Sequence, residues 1–332
     1  MIITRTPFRI SFFGGGTDYP AWANVHGGVV LSTSIDKYCY ISCRPLPPFF
    51  EHKHRIVYSV IENVREIAEI KHPAVKAVLK WAKIKDGLEI HHDGDLPARS
   101  GLGSSSSFTV GLVHALSALQ GRFISKEELA KSAIHIEQDI IRENVGSQDQ
   151  ISAAFGGFNR IEFHRDSTFK VSPVIISTER LAELQSHLML FYTGMSRFAS
   201  DIAKSKIDNF KNREAELKSM MAMVDEAMNI LRNPSISIDE FGKLLDQSWK
   251  YKRSLSDQVT NPEIDRIYDE AFRAGAIGGK ILGAGGGGFL LLFVKPELQE
   301  RVRERLKHLI YVPFQFDNSG SQVIVYQPSG SC

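Results

Sequence analysis

Gly101 and Gly103 stand one residue apart in the stretch LPARSGLGSSSSFTVG, residues 96–111, and four hydroxyls follow at once, Ser104, Ser105, Ser106 and Ser107. The first turn of a helix leaves backbone N–H groups unpaired and carries partial positive charge. Glycine lets such backbone approach a ligand closely and adopt positive φ. Serine hydroxyls can donate to phosphate oxygens or bind a magnesium ion. Together these groups make an anion cradle suited to the phosphates of a nucleotide. The competing reading, a flexible Gly/Ser linker, fits poorly between a strand read at 87–92 and a helix read at about 105–119. The stretch is not a Walker loop, because no G-x-x-x-x-G-K-[ST] occurs; the run from Gly275 to Lys280 has the wrong spacing, and Ile281 stands where a hydroxyl is needed. Ser106 occupies the third glycine position of a dinucleotide fingerprint, which excludes that motif. The tripeptide His164-Arg165-Asp166 imitates a protein-kinase catalytic loop, but Val171 sits at the metal-binding Asn position and no D-F-G follows.

Two further glycine clusters carry chemistry or turns. In FRISFFGGGTDYP, residues 8–20, Arg9 and Asp18 flank Gly14, Gly15 and Gly16. A polar pair beside permissive backbone could hold a hydroxylated substrate; a hairpin turn accounts for the same residues. In GGKILGAGGGGFLLLFV, residues 278–294, Gly285, Gly286, Gly287 and Gly288 run straight into an apolar strand. Glycine weakens strands, so the cluster implies close backbone approach, or else a helix-to-strand turn with a bulge.

Two carboxylates are conspicuous. On a helix read over 126–142, Leu129, Ala133, Ile136 and Ile140 form one face, Ile134 and Ile141 widen it, and Glu137 falls inside the apolar arc. A buried carboxylate needs a cation or donors to stay charged. Magnesium would serve; a position at the edge of the arc, reaching solvent, is the alternative. Asp149, in VGSQDQ at 145–150, is a cap or a catalytic base, and the local sequence favours the cap.

The elements that must position these residues read as an α+β chain. Strands are expected at 28–44, 55–61, 87–92, 151–163, 188–193, 281–294, 311–316 and 322–327, and helices at 73–84, 105–119, 126–142 and 296–309, with largely helical pattern from 198 to about 275. Ser125 with Glu128 matches a capping box. A β-rich first half and a helix-then-sheet second half predict two domains, 1–180 and 181–332, joined near 170–190. A net charge of +2 offers no field for nucleic acid or an anionic membrane. No apolar run approaches the ~20 residues that span a bilayer, and the N-terminus has no secretory pattern. Three cysteines, Cys39, Cys43 and Cys332, argue against a disulfide framework and fit a reducing cytoplasm, with Cys39 and Cys43 as core thiols.

With these residues in hand, the whole chain resembles the GHMP kinase superfamily (galactokinase, homoserine, mevalonate and phosphomevalonate kinases). Residues 9–19 match its N-terminal substrate motif, Pro97 to Ser105 its P-x-x-x-G-L-G-S-S phosphate motif, and Lys280 to Gly288 its C-terminal glycine motif. The resemblance implies a ribosomal-protein-like N-terminal domain and a ferredoxin-like C-terminal domain with the site between them. It implies that Pro97, Ser100, Gly101, Leu102, Gly103, Ser104, Ser105 and Ser106 serve ATP, and that Ser104, Ser105 and Glu137 serve Mg2+. It implies Asp149 as catalytic acid–base with Arg9 beside it, and Gly15, Gly16, Thr17, Asp18, Gly285 and Gly286 on the substrate side. Galactokinases read G-E-H-T-D-Y where this chain reads Gly14-Gly15-Gly16-Thr17-Asp18-Tyr19, which opens space near the sugar. With YTGMSRFAS at 192–200 and KILGAGGGGF at 280–289, the chain looks most like the D-glycero-D-manno-heptose 7-phosphate kinases, which make the 1,7-bisphosphate for nucleotide-activated heptose synthesis. A phosphorylated acceptor needs a second anion site. Arg197 is the first candidate, and Lys252 and Arg253 are weaker ones. A kinase for an unphosphorylated sugar such as fucose or galactose, or a catalytically silent nucleotide or sugar sensor, are the alternatives. The implied partner is a small sugar phosphate, with monomer or homodimer left open.

Overall fold

The computed structural model describes residues 1–98, 100–195 and 199–328. In chain order its elements are β1 (Ile2–Phe13), α1 (Pro20–His26), β2 (Gly28–Pro45), β3 (His54–Val57), β4 (Ile61–Val64), α2 (Pro73–Trp81), β5 (Leu88–Gly94), α3 (Ser104–Leu119), α4 (Lys126–His135), α5 (Gln148–Phe155), β6 (Phe158–Phe163) and β7 (Phe169–Pro173). There follow α6 (Thr178–Ser186), β8 (Leu188–Tyr192), α7 (Ala199–Asn209), α8 (Glu214–Arg232), α9 (Asp239–Ser254), α10 (Pro262–Ala274), β9 (Ala276–Ile281), β10 (Phe289–Val294), α11 (Gln299–Arg305), β11 (Ile310–Tyr311), β12 (Phe316–Asp317) and β13 (Gln322–Tyr326).

β1 alternates between buried and partly exposed residues at its start and is buried without a break from Thr6 to Phe13. A strand covered on both faces has to be apolar throughout, and Ile10, Phe12 and Phe13 meet that need. Arg9 lies inside this buried stretch, so the strand commits a guanidinium to the interior. The first sheet has the order β13-β1-β2-β5-β3-β4, with β6 and β12 also pairing with β2, and β7 with β6. Among the described residues only the β3–β5 pair is parallel. A second sheet, β11-β8-β10-β9, is wholly antiparallel. The chain is α+β with two sheets, as its sequence leads one to expect. After β11 it returns to the first sheet, where β13 pairs with β1 and β12 with β2.

α3 packs on β1 and β2 at close range. A Cβ on Gly111 would come within 2.9 Å of Thr6 Oγ1, and Thr4 Oγ1 donates to the Gly111 carbonyl at 2.9 Å. These contacts seat the middle of α3 on β1, and nearer its start Ser107 donates to the Pro7 carbonyl at 2.9 Å, two residues before Arg9. The aromatic rings of Phe12 and Phe13 meet Phe241 of α9 edge-on at 5.5 and 5.0 Å, joining the first sheet to the second half of the chain.

Several elements depart from the sequence reading. The helix expected over 126–142 is α4 followed by a wider π-turn, Ile136–Ile141, that ends at Arg142 with φ +64°. The strand expected over 151–163 begins only at Phe158. Residues 148–155 are α5, and Gly156 stops that helix at φ +68°, where a Cβ would overlap the Ser319 carbonyl at 2.0 Å. The run 281–294 splits into the end of β9, a glycine loop and β10, and the expected strand 55–61 is the hairpin β3–β4. The helix expected over 296–309 is a 3-10 turn, Pro296–Leu298, leading into α11.

Candidate active site

Arg9 and Asp149 meet at the centre. Arg9 Nε donates to Asp149 Oδ1 at 2.8 Å and Nη2 to Oδ2 at 2.9 Å, a fork-on-fork pairing that fixes both planes. The third arm, Nη1, donates to the Gly101 carbonyl at 2.8 Å, and the Arg9 amide donates to the Leu102 carbonyl at 3.0 Å. Strand β1 therefore holds the glycine loop and the acid at once. Gly103, at φ +75°, lies against both side chains of the pair: a Cβ there would sit 3.4 Å from Arg9 Cγ and 3.5 Å from the Asp149 carboxyl. Asp149 stands in the first turn of α5, so the cap reading and the acid reading place it on the same helix end.

Ser104 and Ser105 open α3 directly after Gly103; Ser105 is exposed and Ser104 partly buried. Ser106 and Ser107 turn inward, Ser107 to the Pro7 carbonyl at 2.9 Å and Ser106 to Glu137 at 2.9 Å. Leu102 is a core side chain that contributes its backbone to the loop, and the Ser100 hydroxyl is buried without a partner. Pro97 lines a cleft with Tyr192, Phe289 and Tyr311.

Glu137 is buried, as its place on the apolar arc implies. Its Oε2 accepts from Ser106 and from Gln150 Nε2, the latter at 2.5 Å, while Oε1 is buried with no partner. Burial pushes this carboxyl up to about 7, against the hydrogen bonds from Thr109, Gln150 and Ser106 that hold it down. A lone buried carboxylate oxygen beside helix-start hydroxyls fits a hard divalent cation. No group of three or more His, Cys, Asp or Glu side chains forms a metal cage among the described residues. Magnesium held by one carboxylate and by substrate phosphates suits this donor set.

Asp18 accepts from the Gly16 amide at 3.0 Å and from the Gln148 amide at 3.2 Å. Burial raises its pKa, the Asp149 charge adds to the rise, and the two amides oppose it. Gly146 is required for this fit, since a Cβ would come within 1.8 Å of Asp18 Oδ2. Gly15 and Gly16 form the bend beside Asp18. The hydroxyl of Thr17, a residue expected on the substrate side, donates to the Gly14 and Val29 carbonyls, at 2.8 and 3.1 Å, inside the turn.

The C-terminal glycines approach the chain's own backbone. A Cβ on Gly283 would lie 2.5 Å from Gly101 Cα, and one on Gly288 2.2 Å from the Ser100 carbonyl oxygen. Gly285 and Gly286, expected on the substrate side, pack on Val259: a Cβ on Gly285 would meet the Val259 carbonyl at 2.7 Å, and the Gly286 amide donates to it at 2.8 Å. The third motif thus braces the phosphate loop.

Three buried lysines complete the surroundings. Lys280 donates to the Phe12 carbonyl, and Lys252 to the Ile281 and Gly283 carbonyls, each at 2.7 Å. Burial takes Lys280 down to about 7, with Arg9 and Lys206 adding to it, and takes Lys252 well below its ordinary value. Lys252 therefore anchors backbone, and Arg253 pairs with Asp265 at 3.1 Å, so both weaker candidates for the second anion site have partners within the chain. Arg197 lies outside the described residues. Lys206 of α7 had no place in the sequence reading, although it stands at helical spacing with the buried Ile202, Ala203 and Phe210.

Comparisons with known proteins identify the family. Residues 57–157 match the GHMP kinases N terminal domain and residues 227–311 the GHMP kinases C terminal domain. The chain is 32% identical over 315 residues, 89% of its length and 90% of the relative's, to the D-glycero-alpha-D-manno-heptose 7-phosphate kinase of Campylobacter jejuni. Its fold is that of a D-glycero-D-manno-heptose 1-phosphate kinase from Bacteroides thetaiotaomicron (TM-score 0.80, 23% identity, 98% of this chain and 100% of that one). The Lactococcus lactis galactokinase complexed with galactose shares it too (TM-score 0.73, 20% identity, 97% and 94%). The paired domains and the full-length relative establish that this chain belongs to the GHMP kinases and is a phosphotransferase.

Proposed function

We propose that the protein is an ATP-dependent sugar 1-kinase whose acceptor is D-glycero-D-manno-heptose 7-phosphate and whose product is the 1,7-bisphosphate, a step in nucleotide-activated heptose synthesis. The observation that carries the reading is the two-pronged Arg9–Asp149 pair with the Gly101–Gly103 turn packed on it. A carboxylate, a guanidinium and a glycine turn in contact support the reading of an acid, a cation and a phosphate cradle acting together. Phosphoryl transfer needs positioning and charge neutralisation more than covalent help.

In this mechanism the amides at residues 101–107 cradle the nucleotide phosphates. Asp18 orients a sugar hydroxyl at the bend of Gly15 and Gly16. Asp149 accepts the proton of the anomeric hydroxyl as its oxygen bonds to the γ-phosphorus and the bond to ADP breaks. Arg9 fixes the acid and offers charge to the transferring group. Glu137 and a hydroxyl of Ser104 or Ser105 would hold magnesium, which would supply neutralisation of phosphate charge. The partition into residues 1–180, with cradle and acid, and 181–332, with the bracing glycines, belongs to the same proposal, as does Arg197 as receptor for the acceptor's own phosphate.

A panel of sugars and sugar phosphates, assayed for ADP release with the product position read by phosphorus NMR, tests this. The heptose 7-phosphate should turn over best and acquire phosphate at the anomeric oxygen. Asp149→Asn should lower kcat by about 100-fold or more while nucleotide binding holds. Best turnover of unphosphorylated fucose or galactose would replace the acceptor, and sugar binding without ADP release would make the protein a sensor.

A further inference from the structure

Four basic side chains approach the site, and three of them donate to acceptors within the chain. Arg9 holds Asp149 and the Gly101 carbonyl, Lys280 holds the Phe12 carbonyl, and Lys252 holds two carbonyls of the glycine loop. Lys206 is the exception. It is 4% exposed, and its ammonium makes no hydrogen bond to any described residue. What it has is a position: Nζ lies 5.4 Å from the centre of the Tyr19 ring, next in sequence to Asp18, and it feels the charges of Asp18 and Asp149.

Those carboxylates do not satisfy it. Asp149 is engaged two-pronged by Arg9 and Asp18 by the Gly16 and Gln148 amides, and neither carboxylate pairs directly with the ammonium. An ammonium on a largely buried side chain, with no acceptor in the described chain, is costly. Burial accordingly lowers Lys206 to about 8, with Asp18 and Asp149 opposing the shift. An incoming anionic oxygen would relieve that cost. Arg9 is held by Asp149, and Lys252 and Lys280 donate to backbone carbonyls, so the Lys206 ammonium is the group left to meet an incoming anionic oxygen.

We propose that the Lys206 ammonium is a further cation of the transfer site, taking an anionic oxygen of the phosphoryl group as it passes from nucleotide to acceptor. Rigid α7 delivers it: Ile202, Ala203 and Phe210 seat the helix, and Phe210 meets Tyr19 edge-on at 5.9 Å. This role rests on the kinase reading above and adds a residue to it.

The test uses Lys206→Met and Lys206→Arg in the full chain. The first measurement is ADP release with the acceptor the sugar panel selects, phosphorylated and unphosphorylated. The second is calorimetric titration with inorganic phosphate in the presence of MgADP. In the Met variant kcat should fall about 100-fold, with both KM values moving less than about threefold, as for loss of one preorganised donor. The loss should be equal on both acceptor forms, and phosphate should bind about tenfold more weakly. Arg should recover at least about tenfold of the lost turnover, and both variants should melt no lower than the parent. A loss seen only as KM for the phosphorylated acceptor would assign the oxygen to the acceptor's own phosphate and overturn the proposal. Parental turnover and phosphate affinity in the Met variant would overturn it as well. If the parent turns over no sugar, the kinase substrate reading fails by itself, and the phosphate titration still decides for or against Lys206.

Discussion

Glu137 shows how a single side chain can record a missing partner. In the folded chain without metal its carboxyl ionises only near 7, because burial penalises the charge more than Thr109, Gln150 and Ser106 compensate. In the unfolded chain the same group ionises at an ordinary carboxylate value near ~4.3. Between these two values the folded state binds more protons, so this group's contribution to stability is present below ~4.3 and is lost as pH rises through about 7. The prediction is that, in chelator, the melting temperature of Glu137→Gln falls less from pH 5 to pH 8 than that of the parent. Magnesium and ATP together should stabilise the parent and not the variant. Equal pH slopes in parent and variant would show that Glu137 does not carry this titration.

At the scale of elements, the glycines divide into those that bend the chain and those that let two segments touch. Gly288 does both, with φ +85° and the Ser100 carbonyl where a Cβ would go. Gly288→Ala should destabilise by about 1–3 kcal/mol and displace residues 100–101. The readout is a KM for ATP raised further than the KM for sugar. Equal effects on both substrates would count against the bracing role. Much of this arrangement was legible in the sequence. The strand–glycine–serine–helix order located the glycine turn that opens α3, and helical periodicity exposed Glu137 as a charge on an apolar face. The same test finds Lys206 among Ile202, Ala203 and Phe210, although the long polar-looking helical run around it hides the pattern. What was not legible was contact between distant segments. Nothing local in Gly285 or Gly286 says that the surface approached is Val259. Nothing in QDQISAAFGGF reveals a helix before the strand, since short apolar runs satisfy either period.

Across the whole molecule, the last strand ties the site's supports together. Ser321, just before β13, meets Thr6 of β1 at 2.9 Å and His114 of α3 at 3.0 Å, and its amide donates to the Ala153 carbonyl of α5 at 2.9 Å. Those three elements carry Arg9, the cradle serines and Asp149. A chain ending at Gly320 should melt about 5–10 °C lower and lose turnover even at temperatures where it remains folded, as circular dichroism and ADP release would show. Full turnover in the folded truncated chain would remove β13 from the support of the site. No helix among the described residues is long and apolar enough to cross a membrane.

The seam at Gly283 and Gly288 bears on heredity. Peptide there lies bare against peptide at Gly101 and Ser100, so no side-chain lock has to match its key. Gene hybrids that cross over between these two segments should inherit a working join from any two parents that keep glycine in both places.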